Sequence, residues 1–318
     1  MVTAAISTNC SDLSDATSKP WLLVTHQRPD TDAWLCLWAA DRFIVPEDAP
    51  RQLSFVEAST RLSSEREAEA EQVLYMDVGG GDCDQHGKRL VRSSSFKLVV
   101  EKYGLNVDGS FNELVELACA TDNVERIDPT SIHYIIKGLP AYHRENEVID
   151  WTAISNHVFM LFDILHGQAK SRIEAREGLK QFGRCYDLRN GLRLGTTWCH
   201  PELREAAFES GAHVVMWTNM RGKKGVEFGI QVGRSSKISL RSAMAAIRQA
   251  EAAKRGVTIT PDDAKSLGTL DALPSWFQHD SYHLILSGSR SHRLTGDEYS
   301  RLTPHEVLDI LKRELARA

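Results

Sequence analysis

The chain has 318 residues, of which 42% are hydrophobic and 25% are charged, and its formal net charge is −5. This composition is typical of a soluble globular protein and excludes collagen-like and largely disordered chains, while the length favours two domains. No apolar run approaches the roughly 18 residues that a membrane-spanning helix needs, so no membrane partner is expected.

The predicted elements begin after a polar, flexible arm over residues 1–20, which lacks the basic start and apolar centre of a secretory signal. The apolar run WLLVTH over residues 21–26 predicts a strand, and residues 32–43 predict a buried helix after a short loop. Two more strands are predicted over residues 52–58 and 73–78, with a solvated helix over 63–71 between them. Helical spacing then prevails to about residue 189, over residues 96–103, 111–120, 151–166 and 169–182.

Strands that alternate with helices predict an α/β domain over residues 21–190, with a mainly parallel sheet and helices on both faces. The pattern changes after residue 190, where two strands flank a basic hairpin turn and a capping box at Thr303 opens the last helix. Residues 191–318 are therefore predicted to form a smaller α+β domain for substrate binding. Residues 1–190 carry a net charge of −9 and residues 191–318 carry +4. A basic second domain suits a phosphorylated substrate, although random surface composition would explain the difference equally well.

The spacing of the cysteines indicates the redox state of the cellular compartment in which the protein is expected. The six cysteines include no C-x-x-C pair, which favours reduced thiols in a cytoplasmic protein over a disulfide framework.

Three candidate metal ligands follow the first strand within seven residues: His26, Asp30 and Asp32. A loop can turn such side chains to one point, as divalent cations require. Asp77 ends the third strand, and ligands gather at the carboxyl ends of parallel strands. Further candidates lie downstream, namely Asp84, His86 and Asp122, which is enough for two metals about 3.5 to 4 Å apart.

Each candidate also has a purely structural interpretation. Asp30 after Pro29 suits a turn, Asp32 suits a helix cap, and Asp122 suits an ordinary loop. A single histidine such as His86 is more often a surface residue than a ligand. The joint order of these residues is what favours a functional site.

That order resembles the DHH phosphoesterase superfamily. Its first motif, H-x-x-x-D-x-D, matches His26, Asp30 and Asp32, and its second corresponds to Asp77. The third, D-H-H, corresponds to Asp84, Gln85 and His86, and the fourth to Asp122.

Within that superfamily the sequence is most similar to the melanocyte proliferating gene family of metal-dependent hydrolases, described as 3′ to 5′ RNA exonucleases. The likeness lies in DVGG over residues 77–80, in Ser94-Ser95 and in TDN over residues 121–123. In the second domain it extends to Tyr282-His283 and to SGS over residues 287–289.

The resemblance implies a phosphoesterase in which a metal-activated water attacks phosphorus. It places His26, Asp30 and Asp77 on a first metal, and Asp32, Asp77 and Asp122 on a second. Mn²⁺ is the expected cofactor, with Zn²⁺ or Co²⁺ as alternatives, and RNA or a short oligonucleotide is the expected substrate. The implied catalytic residues are Asp84 and His86. The second domain would close over the site with its implied substrate-binding residues, His283, Ser287, Gly288 and Ser289. Arg290 is a further expected substrate-binding residue, because its charge suits a nucleic-acid backbone.

Gln85 departs from the D-H-H motif, because it replaces a histidine that normally binds the second metal. An amide oxygen is a weaker ligand than imidazole for transition metals. The second site is therefore weak, or Asp82 rebuilds it, or one metal suffices, or activity is lost. Three functions stay open: an exonuclease, a phosphohydrolase acting on pyrophosphate or a nucleotide, and a non-catalytic DHH-like binding protein.

Overall fold

The computed structural model describes residues 19–86, 92–145, 148–222, 225–234, 236–288 and 293–317. Nearly all of the predicted N-terminal arm, together with the expected substrate-binding residues Ser289 and Arg290, lies outside the described residues.

The chain divides into two compact units, Met1–Lys170 and Ser171–Ala318. The sequence predicted this division at residue 190 instead. The division falls inside one continuous helix, Trp151–Phe182, where no proline or glycine-rich stretch signals a boundary. The strand that follows, Gly183–Asp187, pairs within the sheet of the second unit.

A three-stranded parallel sheet organises the first unit. Its strands are β1 (Trp21–His26), β2 (Arg51–Val56) and β3 (Gln72–Tyr75). They lie in the order β2-β1-β3, with Trp21 level with Arg51 on one side and Gln72 on the other. All three predicted strands and their parallel arrangement are confirmed, and the carboxyl ends of the strands meet at one edge.

Within the described residues, six helices accompany this sheet, and the first continues as a π-helical segment over Ala40–Ile44. Their bounds are α1 (Thr31–Ala39), α2 (Ser64–Ala68), α3 (Ser95–Lys102), α4 (Asn112–Asp122), α5 (Ile132–Tyr142) and α6 (Trp151–Phe182). A short hairpin of β4 (Arg144–Glu145) and β5 (Val148–Ile149) precedes α6. The sequence did not predict α5, and it split α6 into two helices.

Alternating residues of β1 cover both faces of the sheet, as the period of a strand requires. Leu23 packs with Trp34 and Trp38 of α1 in a core that α3, α4 and α6 complete. Leu22 and Val24 point the other way, against Val56, Val78 and the region of α2. The predicted α/β layering is confirmed, although the second face is covered by little regular helix.

The second unit contains a seven-stranded mixed sheet in the order β10-β11-β12-β9-β8-β7-β6. Among the neighbouring pairs that the structure describes in this sheet, only β7 and β8 run parallel. The strands are β6 (Gly183–Asp187), β7 (Arg193–Thr197), β8 (Val214–Met220), β9 (Val226–Val232), β10 (Gly268–Leu270), β11 (Leu273–Gln278) and β12 (Leu284–Leu286). The helices are α7 (Arg204–Glu209), α8 (Arg241–Arg255), α9 (Pro261–Lys265) and α10 (Pro304–Leu315).

Local signals in the second unit are confirmed. β8 pairs antiparallel with β9 as predicted, and α10 begins with the predicted capping box between Thr303 and Glu306. No helix in the described part of the chain is both long and apolar enough to cross a membrane.

Candidate metal centre

The loop after β1 forms the first part of the site. β1 ends at His26, and Asp30 caps α1 by accepting a hydrogen bond from the Ala33 amide over 3.0 Å. The cap fixes where the Asp30 carboxylate lies, and only part of its hydrogen-bonding capacity is used. A capping role and a ligand role are therefore compatible at this residue.

A first group of possible ligands consists of His26, Asp30 and Asp77, whose ligand atoms all lie within 4.8 Å of one another. The His26 Nε2 atom is 3.4 Å from Asp77 Oδ2. These are the three residues that the resemblance places on the first metal. The sheet brings them together because β1 and β3 are neighbours that end at the same edge.

Asp77 is the most constrained residue of the site. Its side chain is buried, and its backbone is left-handed with φ 57°, a conformation that Asp tolerates better than most residues. The Asp77 amide donates to the Cys83 carbonyl over 3.1 Å. The Ser95 hydroxyl donates to Asp77 Oδ1 over 2.7 Å. Backbone and side chain are thus both held in place.

A second group of possible ligands shares Asp77 and adds Asp84 and His86, again within 4.8 Å. His86 Nδ1 lies 2.8 Å from Asp84 Oδ1 and 3.5 Å from Asp77 Oδ1. Burial alone would raise the pKa of Asp84, but hydrogen bonds from the Gly80 amide and from His86 lower it. The group differs from the predicted second set, since Asp84 and His86 were expected as catalytic residues.

Asp32, an expected ligand of the second metal, is outside both groups. It is fully buried, and its two carboxylate oxygens accept the backbone amides of Ser95 over 2.7 Å and Phe96 over 2.9 Å. These amides are at the N-terminus of α3, where the helix dipole favours a negative charge. In this structure Asp32 therefore anchors α3 beneath the site.

Asp122, the other expected ligand of the second metal, lies at the end of α4 and accepts a hydrogen bond from the Gln85 side-chain amide. Burial, followed by the charges of Asp77 and Asp30, raises the pKa of Asp122 to about 6. Asp122 belongs to neither of the two ligand groups among the described residues. Asp82, the suggested replacement ligand, instead pairs with Lys102 over 3.0 Å.

The electrostatics of the site fit a cation. Burial, and then repulsion from Asp77, raises the pKa of Asp30 and of Asp32, as it does for Asp122. Burial acts to lower the pKa of His26 and of His86, but contacts with the carboxylates raise both. Crowded oxygens that repel one another, with imidazole nitrogen beside them, form a donor set suited to Mn²⁺, Zn²⁺ or Co²⁺.

Sequence analysis missed two residues that organise the site. Ser95 belongs to the quoted Ser94-Ser95 match, yet nothing in the sequence assigned it a role. Besides donating to Asp77, the Ser95 hydroxyl accepts a hydrogen bond from the backbone amide of Gln85 over 3.0 Å. His133 of α5 bonds the Thr31 hydroxyl through Nδ1 over 2.8 Å, which ties α5 to the loop after β1.

The second unit holds some of the implied substrate-binding residues around a cavity of about 600 Å³. Ser287 and Gly288 line it together with Arg221, Arg293 and Tyr299. The Ser287 hydroxyl accepts the Phe228 amide over 2.9 Å, so it also fixes β9.

His283 was expected to act with Ser287 and Gly288, but it is exposed and does not line that cavity. β12 separates His283 from Ser287, because His283 precedes this strand and Ser287 follows it. Residues at the two ends of a strand of three residues are more than about 10 Å apart. The structure therefore does not place His283 in one substrate motif with Ser287.

Comparison with known proteins gives matches among solved structures. No protein-family model matches the sequence, and no curated protein matches it significantly. Among solved structures, a pGpG-specific phosphodiesterase, PggH from Vibrio cholerae, matches with 11% identity and a TM-score of 0.31 over 94% of this chain and 98% of that one. A DHH domain described as belonging to a family of ribosomal proteins matches with 12% identity and a TM-score of 0.30, over 94% and 87%.

An exopolyphosphatase-related protein from Bacteroides fragilis matches with 13% identity and a TM-score of 0.25, over 94% of this chain and 92% of that one. The resemblance rests on the four motifs and on how the sheet assembles the first three.

Proposed function

We propose that this chain is a metal-dependent phosphoesterase that hydrolyses RNA or short oligonucleotides from the 3′ end. One observation carries the proposal: Asp77 belongs to both groups of possible ligands, at the carboxyl edge of a parallel sheet. A carboxylate shared between two cation sites is a common arrangement in enzymes that hydrolyse phosphoesters. The order of the DHH motifs supports the same class, and the exonuclease assignment rests on the resemblance alone.

In this proposal His26, Asp30 and Asp77 would hold one cation, and Asp77, Asp84 and His86 would hold or flank a second. The bound cation, for which we favour Mn²⁺, supplies Lewis acidity that makes a water a better nucleophile. Ser95 and the left-handed backbone of Asp77 fix the shared carboxylate, so no reorganisation of Asp77 is needed during a reaction.

Asp84 and His86 form a pair suited to proton transfer. The Asp84 carboxylate orients the His86 ring through Nδ1, while the His86 side chain is 64% exposed. A ring held at Nδ1 keeps Nε2 for exchange of a proton with the substrate or for contact with a phosphoryl oxygen. The roles first assigned to Asp84 and His86 as catalytic residues thus remain part of the proposal.

The cavity of the second unit suits part of a phosphorylated substrate. Arg293 lines this cavity. A guanidinium binds phosphate oxygens through charge-assisted hydrogen bonds.

A second candidate is a non-catalytic DHH-like binding protein, and the contact between Gln85 and Asp122 favours it. Gln85 stands where the motif has a metal-binding histidine, and its amide is engaged with a carboxylate that the resemblance assigns to the second metal. A chain with only one effective cation site would bind phosphate esters more readily than it cleaves them.

The deciding experiment incubates a short end-labelled RNA with the full chain and Mn²⁺ and measures the release of mononucleotides. Asp77→Asn is the test variant, because asparagine keeps the size and the tolerance for left-handed backbone while removing the charge. Asp82→Asn is the matched control, an aspartate of the same loop outside both ligand groups. Bound metal is counted in parallel for all three proteins.

Metal-dependent release by the wild type and Asp82→Asn, but not by Asp77→Asn, would support the proposal, and the labelled end gives the polarity. Bound metal without RNA cleavage moves the assignment to pyrophosphate or a nucleotide as substrate. Absence of both bound metal and cleavage in the wild type contradicts the enzymatic function and favours the binding protein.

A further inference from the structure

A cavity of about 380 Å³ lies within the first unit, beside the candidate metal centre. The loop after β1 forms one wall and α5 forms the opposite wall, while the β4–β5 hairpin and the start of α6 complete it. Its volume falls in the range of about 300–1,000 Å³ that is usual for small-molecule sites. The resemblance and the motifs assign nothing to this cavity.

Asp30 joins the cavity to the metal centre, because it lines the cavity and belongs to the first ligand group. The Thr31 hydroxyl, which also lines the cavity, bonds His133 of α5 over 2.8 Å. This bond fixes the distance between the two walls. A molecule with one end in the cavity would therefore have its other end at the candidate ligands.

Three cationic side chains line the cavity: Arg28, Lys137 and Arg144. None of them pairs with a carboxylate among the residues that the structure describes, and Asp30 is the one acidic residue in the lining. Three cations gathered in a concave site attract an anion, and phosphate is the anion that the neighbouring metal centre suits.

The remaining wall is apolar, with Ile136, Ile149, Pro140 and Trp151. Trp151 is held in place by a stack on Phe55 with the ring centroids 5.1 Å apart. An apolar wall adds no binding free energy for an inorganic phosphate chain. A nucleobase binds more tightly there, because its apolar surface is buried and it contacts a fixed aromatic ring.

We propose that this cavity is the subsite for one nucleoside monophosphate unit of the substrate. The base contacts the apolar wall, and the phosphate lies among Arg28, Lys137 and Arg144. The inference rests on the proposed function and narrows it, since it assigns the metal centre to nucleotide esters and not to pyrophosphate or polyphosphate.

The test measures binding of AMP and of orthophosphate to the full Mn²⁺-loaded chain by titration calorimetry. AMP and orthophosphate both offer a phosphate to Arg28, Lys137 and Arg144, so the difference between their affinities reports the contribution of the nucleoside. Burial and stacking of the base should make AMP bind at least about tenfold more tightly than orthophosphate.

Lys137→Ala is the test variant, because Lys137 is exposed and outside both ligand groups, so its loss should leave the fold intact. We expect it to weaken AMP binding about fivefold, a modest factor because the side chain is partly in solvent. Lys170→Ala, an exposed lysine of α6 outside the lining, should leave AMP binding unchanged. Arg144→Ala should repeat the effect of Lys137→Ala.

Equal affinities for AMP and orthophosphate, or equal effects of Lys137→Ala and Lys170→Ala, would overturn the inference. Failure of the inference is distinguishable from failure of the proposed function. If RNA is cleaved but Lys137→Ala leaves KM and AMP binding unchanged, the subsite is wrong and the function stands. If AMP binding follows the expected pattern without any RNA cleavage, the cavity is a nucleotide site and the proposed hydrolysis is wrong.

Discussion

Ser95 Oγ donates a hydrogen bond to Asp77 Oδ1 over 2.7 Å, at the carboxylate that both ligand groups share. The same serine begins α3, and its amide donates to Asp32. One residue therefore connects the candidate metal centre, the anchoring carboxylate and the start of a core helix.

Replacing Ser95 by alanine should reduce affinity for Mn²⁺ and lower stability by about 1–3 kcal/mol. The reason is that a buried carboxylate oxygen of Asp77 loses its hydrogen-bond donor, and the backbone amide of Gln85 loses its acceptor. Calorimetric metal binding and denaturant unfolding measure the two effects. Ser94→Ala removes the cap of α3, where Ser94 accepts from Lys97, and should cost about 1 kcal/mol without changing metal affinity. Equal metal affinity in both variants would contradict this role of Ser95.

Replacing Asp32 by alanine should destabilise the first unit by about 2–4 kcal/mol, because two buried amides of α3 lose their acceptor. Asp30→Ala removes only the cap of α1 and should cost about 1 kcal/mol, while it should weaken metal binding. Urea unfolding of the metal-free variants measures which substitution lowers the free energy of unfolding more. A smaller loss for Asp32→Ala than for Asp30→Ala would show that Asp32 does not anchor α3.

Mn²⁺ should raise the melting temperature of the wild type by about 5–10 °C when present at about 100 times its Kd, since ligand that binds only the folded state adds about 2.7 kcal/mol. EDTA should reverse the increase. Asp77→Asn should show little response because both ligand groups lose their shared carboxylate. Differential scanning calorimetry provides the measurement, with Asp82→Asn as control. An identical response of Asp77→Asn and wild type would place the cation elsewhere.

Glu306 should make the second unit sensitive to acid. Its hydrogen bond from Lys254, followed by those from the amide and hydroxyl of Thr303, lowers its pKa from 4.5 to about 2. A lowered pKa of an acid stabilises the fold above the unfolded pKa. This contribution is therefore complete above about pH 4.5 and is lost as the pH falls towards about 2.

The measurement for Glu306 is melting temperature against pH for the wild type and Glu306→Gln. The two curves should be separated at pH 6 and should converge between about pH 4.5 and 2. A separation that stays constant over this range would exclude titration of Glu306 as the cause.

Several elements follow from local sequence. The strand Trp21–His26 is a short apolar run with a polar end, and α10 has Thr303, Pro304 and Glu306 in the positions of a capping box. The sequence did not predict α5, because Gly138 and Pro140 lie within this helix. These residues disfavour helix locally, while packing of Ile136 into the core compensates.

The candidate site was also predictable in part. His26, Asp30 and Asp77 were found from their order, since motif 1 is contiguous and Asp77 directly follows a strand. The anchoring role of Asp32 could not be predicted from the sequence, because its partners Ser95 and Phe96 are 63 and 64 residues away. The pairing of Gln85 with Asp122 spans 37 residues and likewise leaves no mark in local sequence.

The sequence by itself determined the parallel first sheet, the hairpin and capped helix of the second unit, and the set of acidic and histidine residues available for metal. These depend on apolar periodicity, turn chemistry and residue type, which act over a few neighbouring residues. The tertiary structure decided which carboxylates meet at Asp77, that Asp32 holds α3, that His283 is separated from Ser287, and that three cations line a cavity beside Asp30. These depend on contacts between distant segments, which only the packing of the folded chain can select.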